Sequence, residues 1–356
     1  MTDTLLTDAL AALLTDHATP ATVRTIEADA EAAAAAAAPS VSRPALPCPA
    51  LWRVLADAGF ADALVAEDQG GAGLTLAQVA PLWALCGAHA LPLPLAETML
   101  ARALLAQAGQ RAPDGPLALG RVRALPGGGL RAQAVPGARC ALAVLASDGA
   151  SCRLLRVADA QAEAAAFVLD ATLTWPDAAW QAAPRLEQAT LPDLRQWQAL
   201  VLAQQLAGAL GAVFERTLAH ANARQQFGRA IGRFQAIQHQ LSVMAEEVVA
   251  ARMAAQIGCW ADGTRLQPDP LRVATAKARC SEAALQVAAL AHAIHGAIGF
   301  TREFDLQLHT RRLHAWRQAA GSETYWHRVL GLALVDGSQA PLLHTLQRIS
   351  DHPQTA

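Results

Sequence analysis

The strongest constraint on the fold lies in residues 194–331. Four segments there, 194–222, 233–261, 270–297 and 304–331, carry apolar residues at helical spacing and are joined by short connections. In the second, Phe234, Ile237, Leu241, Met244 and Val248 recur along one face over four turns. Segments of this length with short links predict an antiparallel four-helix bundle. In the first, Leu200, Val201, Leu202, Leu206 and Leu210 extend around more of the helix than one stripe requires. That pattern predicts a second buried face, hence an oligomer with a bundle-to-bundle interface.

Upstream the texture differs. Residues 1–112 read mainly as helix, with an alanine run at 32–38 stopped by Pro39, and a link marked by Pro39, Pro44, Pro47 and Pro49. A short helix is predicted from Ala50 to Gly59, then a glycine turn at Gly70, Gly71 and Gly73, then a helix capped by Thr75 and running through Trp83. From about residue 113, glycine and proline punctuate short apolar runs. Leu130–Val135, Cys140–Leu145, Arg153–Val157 and Ala165–Leu169 read as strands of a small β domain ending near Pro192. The expected plan is α+β, mainly α: an N-terminal helical domain over 1–112, a small β domain over 113–192 and a C-terminal four-helix bundle over 193–356.

Net charge excludes a strongly basic surface. With a formal charge of −2 over 356 residues, no patch points to nucleic acid or an anionic membrane. Positive charge is carried almost wholly by arginine, Lys277 being the one lysine. Cysteines at 48, 86, 140, 152, 259 and 280 form no Cys-x-x-Cys pair and lie in apolar stretches, which predicts buried free thiols in a reducing cytosol. No basic region precedes an apolar run at the N-terminus, and no uninterrupted apolar run reaches about 18 residues, so neither a signal peptide nor a membrane span is expected.

Residues 224–235, Arg-Gln-Gln-Phe-Gly-Arg-Ala-Ile-Gly-Arg-Phe-Gln, carry the chemistry. An arginine fork can take a pyrophosphate, an aromatic ring can stack on a base, and the N–H groups at a helix start favour anions. Arg224, Phe227 and Gln235 therefore form a candidate nucleotide site, with a surface arginine, a buried ring and a helix cap as the plain alternative. His292 and His295 are three apart, but no carboxylate or further histidine completes a ligand set, so no metal is expected. Tyr325 and Trp326 read as packing residues.

Arg-x-x-Phe-Gly followed by Phe-Gln resembles the flavin-binding signature of the acyl-CoA dehydrogenase family. His295-Gly296-Ala297-Ile298-Gly299-Phe300-Thr301 with Glu303, and Val65 to Leu74 with its Gly-Gly-x-Gly turn, resemble two further family motifs in the right order. The resemblance implies FAD as cofactor, an acyl-CoA substrate and α,β-dehydrogenation. It implies that Arg224, Gln226, Phe227 and Gln235 hold the adenosine diphosphate end of an FAD bound mainly by a neighbouring subunit. It implies that Gly296 and Gly299 admit the cofactor closely. Ala293 and Ala297 stand where the family has Gln and a second Gly.

The catalytic carboxylate of that family is missing. An ungapped count places Ala320, followed by Gly321-Ser322, at the usual Glu position. At the alternative position on the first bundle helix the chain has Gln198 and Ala199. An alanine cannot accept the weakly acidic α proton of a thioester. The family's Thr-Glu-Pro-x-x-Gly-Ser and Trp-x-Thr flavin motifs are also absent between 113 and 190. The resemblance thus points to an accessory subunit that completes a flavin pocket in a hetero-oligomer with a second family member. Two readings stand beside it. One is a self-sufficient homo-oligomer with a relocated base, Glu323 or Glu303; the other is a non-enzymatic, acyl-CoA-binding scaffold without flavin.

Overall fold

The computed structural model describes residues 2–36, 49–186, 193–261, 266–336 and 342–351. Pro39, Pro44, Pro47, Cys48 and Pro192 lie outside the described residues. The chain divides into two compact units, Met1–Leu82 with Leu91–Gln198, and Trp83–Ala90 with Ala199–Ala356.

The first unit opens with helices α1 (Thr2–His17), α2 (Pro20–Ala36) and α3 (Pro49–Asp57). The alanine-rich stretch is helical as far as it is described, through Ala36. The glycine turn forms as the sequence implies. Gly70 and Gly73 have φ of 89° and 61°, and Gly73 N and Leu74 N donate back to Val65 O (2.8 Å) and Ala63 O (2.9 Å). It delivers α4 (Leu76–Ala88), which Thr75 caps reciprocally. Thr75 N and Oγ1 donate to Gln78 Oε1 at 2.9 and 3.0 Å, while Gln78 N donates to Thr75 Oγ1 at 3.4 Å. Helix α5 (Leu95–Gln107) follows. Its Arg102 makes a two-oxygen fork on Asp62, at 3.0 and 2.8 Å.

Strands β1 (Leu117–Arg121), β2 (Arg123–Ala124), β3 (Leu130–Val135), β4 (Ala143–Ser147), β5 (Cys152–Arg156), β6 (Gln161–Ala164), β7 (Ala171–Trp175) and β8 (Arg185–Leu186) complete this unit, with a short helix α6 (Asp177–Ala182). They form two four-stranded sheets, ordered β1-β4-β5-β8 and β2-β3-β7-β6, with β1 and β4 parallel. Their core gathers Val122, Leu130, Val135, Val144, Leu155, Leu173, Trp175 and Trp180. Two sequence expectations are corrected. Cys140 belongs to a 3-10 turn, so the strand starts only at Ala143. Ala165–Leu169 is a loop and turn: Asp170 N donates to Phe167 O at 3.0 Å, and the flanking strands are β6 and β7. Phe167 and Leu169 are buried from that turn, whereas β6 is exposed throughout, so apolar content marked the wrong segment.

The second unit contains most of α7 (Leu194–Ala223), then a hairpin of β9 (Gln225–Gln226) and β10 (Arg229–Ala230), α8 (Gln235–Gly258), α9 (Pro270–His295), α10 (Leu306–Gln318), α11 (Glu323–Asp336) and α12 (Leu342–Ser350). Helix α9 is central and packs against α8, α10 and α11. Its start is fixed by Asp269, whose Oδ1 accepts from Leu271 N (2.8 Å) and Arg272 N (3.1 Å), with Pro270 at the first helical position. Small buried residues, Ala276, Ala283, Ala284, Ala288 and Ala291, let its neighbours approach. The expected single helix over 304–331 is two helices. The break falls at Ala320 (φ 56°) and Gly321 (φ 103°), both left-handed.

Helices Leu194–Ala223 and Pro270–Phe300 are long and apolar enough to cross a membrane by length and composition. In the first, 83% of the most apolar window is buried within the protein. The second, 44% buried, carries Arg272, Lys277, Arg279 and Glu282 along its length. Five cysteines, 86, 140, 152, 259 and 280, are buried free thiols.

Candidate flavin-contacting site

The Arg224 motif is built as a projecting hairpin. Helix α7 still holds Arg224 N through His220 O (2.9 Å), and Ile231 N donates to Arg224 O at 2.8 Å, closing the base. Between the paired residues of β9 and β10, Phe227 (φ 51°) and Gly228 (φ 78°) form a two-residue turn with both φ positive. Such a turn matches the twist of a hairpin, and Gly adopts it without strain. Phe227 does not, at a cost of about 1 kcal/mol or more. It is 91% exposed at the tip, so burial does not offset that strain. Its ring meets Phe234 edge-on at 6.1 Å, and the Arg229 guanidinium lies 4.1 Å from the Phe234 ring. Arg224, Gln226 and Gln235 are exposed beside it. Phe234 is the N-cap of α8 and offers no side-chain acceptor, so the positive end of that helix is left for an anion.

The second motif lies in the same unit. Helix α9 ends at His295, and Gly296 turns the chain with φ 66°. A Cβ on Gly296 would meet nothing within 4 Å, so the backbone there is open to a ligand. Gly299 differs. It is buried, and a Cβ would approach His295 Cβ at 3.0 Å, Leu306 Cδ2 at 3.2 Å and His292 Nδ1 at 3.3 Å. Its lack of a side chain is explained by packing of this chain's own residues.

An aromatic cluster that the sequence did not announce lies under this loop. His220 of α7 stacks on His295 of α9 at 4.3 Å, and Phe304 lies 5.2 Å from His295 and 6.1 Å from His220. His292 stacks on Phe300 at 4.2 Å and bonds Thr310 Oγ1 at 3.1 Å. His295 Nδ1 lies 2.8 Å from Ala291 O; a carbonyl only accepts, so the proton is on Nδ1, and the buried Nε2 has no partner. Burial depresses the basicity of all three histidines. His295 and then Arg224 add to the effect at His220, and His295 and His314 add to it at His292. The visible signal was a histidine one turn before Arg224. His309, elsewhere in the bundle, is pushed down to about 3 chiefly by burial, and its Nε2 lies 2.9 Å from Ala88 O. Among the described residues no group of three or more His, Cys, Asp or Glu could hold a metal ion.

The turn at Ala320 is tied from beneath. Lys277 is fully buried and donates to Ser281 Oγ (2.9 Å), Arg317 O (2.9 Å) and Gly321 O (3.0 Å), so it clamps both sides of the turn. Burial pushes its ammonium down to about 7, with Cys280 and Glu323 opposing. A Cβ on Gly321 would strike Tyr325 Cδ1 at 2.7 Å and Trp326 Nε1 at 3.0 Å. Glu323, the first residue of α11, pairs through Oε1 with Arg317; its Oε2 is buried without a hydrogen-bond partner. Glu323 also borders a groove of about 420 Å³ lined by Arg279, Glu282, Leu285, Gln286 and Ala289. Glu303 is exposed in the loop before α10. Gln198 is buried and donates to Leu119 O at 2.9 Å.

Residues 196–332 match the acyl-CoA dehydrogenase C-terminal domain. The acyl-CoA dehydrogenase IpdE2 of Mycobacterium tuberculosis is 30% identical over 318 residues, 88% of this chain and 91% of that protein. The chain belongs to the acyl-CoA dehydrogenase family. Its fold is shared with two solved structures. One is the Tcur3481–Tcur3483 steroid ACAD G363A variant, with TM-score 0.76 and 24% identity over 95% of this chain and 99% of that one. The other is the ChsE4–ChsE5 complex from Mycobacterium tuberculosis, with TM-score 0.75 and 21% identity over 95% and 98%. The expected fold class, mainly α with a small sheet region, is the one observed. Members of this family are flavoprotein oxidoreductases that act on CH–CH bonds and bind FAD.

The residues present suit one end of that cofactor. Arg224 supplies a fixed charge and a planar fork, Gln226 and Gln235 supply amides, Phe227 supplies an exposed ring, and Gly296 leaves space where a side chain would stand. These are groups for a diphosphate and an adenine.

Proposed function

We propose that this chain takes part in FAD-dependent α,β-dehydrogenation of an acyl-CoA thioester as the accessory subunit of a hetero-oligomer. It contributes Arg224, Gln226, Phe227 and Gln235 to the diphosphate and adenine end of the cofactor and Gly296 to the neighbouring loop, with Gly299 packing that loop onto this chain's own residues. The observation that carries this reading is the 91% exposure of Phe227 at a strained hairpin tip, beside exposed Arg224 and an uncapped helix start. A chain that held the whole cofactor itself would have a reason to bury that ring; one that reaches toward a cofactor on another subunit has a reason to present it. A bound flavin would supply the acceptor for the hydride that leaves the acyl β carbon. The α proton must go to a carboxylate, and Ala320 offers none, so the base belongs to the other subunit. The two-part names of the steroid ACAD and of the ChsE4–ChsE5 complex, both sharing this fold, support a partner that is a second, unlike family member. The division into segments 1–112, 113–192 and 193–356 belongs to the same proposal, as does a reducing, cytoplasmic setting, supported by the five buried free thiols.

One observation favours the self-sufficient alternative: Glu323 Oε2 has no hydrogen-bond partner, and Glu323 borders a groove. The test is turnover of acyl-CoA by the purified lone chain supplied with FAD and an artificial electron acceptor. The accessory reading expects none. Robust turnover, abolished by Glu323→Gln, would establish the alternative.

A further inference from the structure

His220 and His295 connect two elements that the sequence leaves far apart. His220 is one helical turn before Arg224 and accepts its N–H through the backbone; His295 is the residue before Gly296. The two rings stack at 4.3 Å with only 23° between their planes, and Phe304 closes the stack on both. We propose that His220 and His295 are positioning residues that hold the Arg224 hairpin and the Gly296 loop as one cofactor-binding face, and that they do so only while both rings are neutral. The proposal rests on the FAD reading above.

Neutrality is required by what surrounds the pair. On α7, Arg216 and Arg224 flank His220 by one turn on either side. On α9, His292 is one turn before His295. From α10 and the loop before it come Thr310 and His314, which face His292, and the Phe304 ring. The charges felt by His220 and His292 are other histidines and Arg224, all of which oppose protonation. With Nδ1 committed to Ala291 O, protonating His295 creates a buried Nε2–H donor that has no acceptor. Two imidazolium rings in stacking contact also repel. Acidification therefore drives the stack apart and loosens Arg224 relative to Gly296. The sign follows from the depressed basicity: the neutral stack is intact well above the ordinary histidine value of 6.5 and is lost as pH falls below it toward the lowered value.

The test is FAD retention by the purified protein, co-expressed with its partner subunit. It is read as the flavin-to-protein ratio after desalting and as the Kd from flavin fluorescence, between pH 8 and pH 5. The wild type should lose affinity on acidification. His220→Phe keeps an aromatic ring in the stack and removes one of its two titrating groups, so at pH 8 it should retain FAD better than His220→Ala and its pH profile should be shallower than that of the wild type. His220→Ala removes the ring and should weaken binding at every pH by about three- to tenfold, the range of a stacked aromatic pair. Identical pH profiles for the wild type and His220→Phe, or full affinity in a folded His220→Ala, would overturn the proposal. Absence of FAD from the wild type at pH 8 would overturn the FAD reading, and this inference with it.

Discussion

The hairpin at 224–230 and the turn at 319–323 treat their polar groups in opposite ways. In the hairpin, Arg224, Gln226 and the Phe227 ring face outward, and backbone strain at Phe227 is kept with no burial to compensate. In the turn, a buried lysine holds two carbonyls, an arginine holds the nearest carboxylate, and a strained residue, Ala320, carries only a methyl group. The first region is organised for something outside the chain, the second for the chain's own coherence. Strain alone therefore does not identify a working site; what matters is where the neighbouring polar groups point.

The contrast can be broken most forcefully at Lys277. Lys277→Ala removes a fully buried side chain, leaves Gly321 O without its donor and leaves Arg317 O with Ser281 Oγ at 3.3 Å, which should cost about 2–4 kcal/mol. Denaturant unfolding measures this as a lowered midpoint. If the turn tolerates the change with less than about 1 kcal/mol lost, Lys277 is not its clamp.

The two glycines of the α9 loop should give smaller effects, for different reasons. Gly299→Ala forces a methyl group to within 3.0 Å of His295 Cβ, which should destabilise the protein by about 1–3 kcal/mol. Gly296→Ala meets no atom within 4 Å, but φ 66° with ψ −147° is backbone space that essentially only glycine occupies, so it should cost about 1–3 kcal/mol through the backbone instead. Thermal unfolding should show both variants destabilised relative to the wild type. A Gly299→Ala variant as stable as the wild type would mean that His295 and Leu306 do not pack against this loop.

Much of this was legible in the sequence, and the gaps have physical causes. The bundle helices and the Thr75 cap are announced by local spacing and by a Thr-x-x-Gln pair, both short-range signals. The break at Ala320 was hidden because alanine favours helix, and the groups that hold it open, Lys277, 44 residues before the Gly321 carbonyl it bonds, and the packed Tyr325 and Trp326, are remote or lie beyond the break. The exposed edge strand β6 was passed over because it has no buried face to impose alternation. At the candidate site, the motif named Arg224, Phe227 and Gly296. The His220–His295 stack that joins them depends on two helix ends meeting in space, and no spacing along the chain encodes that.

The central claim is that this chain supplies flavin-binding side chains to a site completed by another subunit. The most direct test is the flavin-to-protein ratio of the co-expressed hetero-oligomer carrying Arg224→Ala on this chain alone. Charge-assisted bonds to phosphate are about twice as strong as neutral ones, and lysine lacks the planar fork. The account predicts marked loss of FAD in Arg224→Ala, partial recovery in Arg224→Lys, and an unfolding midpoint unchanged for the apo-protein because Arg224 is exposed. Full FAD occupancy in a folded Arg224→Ala complex would contradict it.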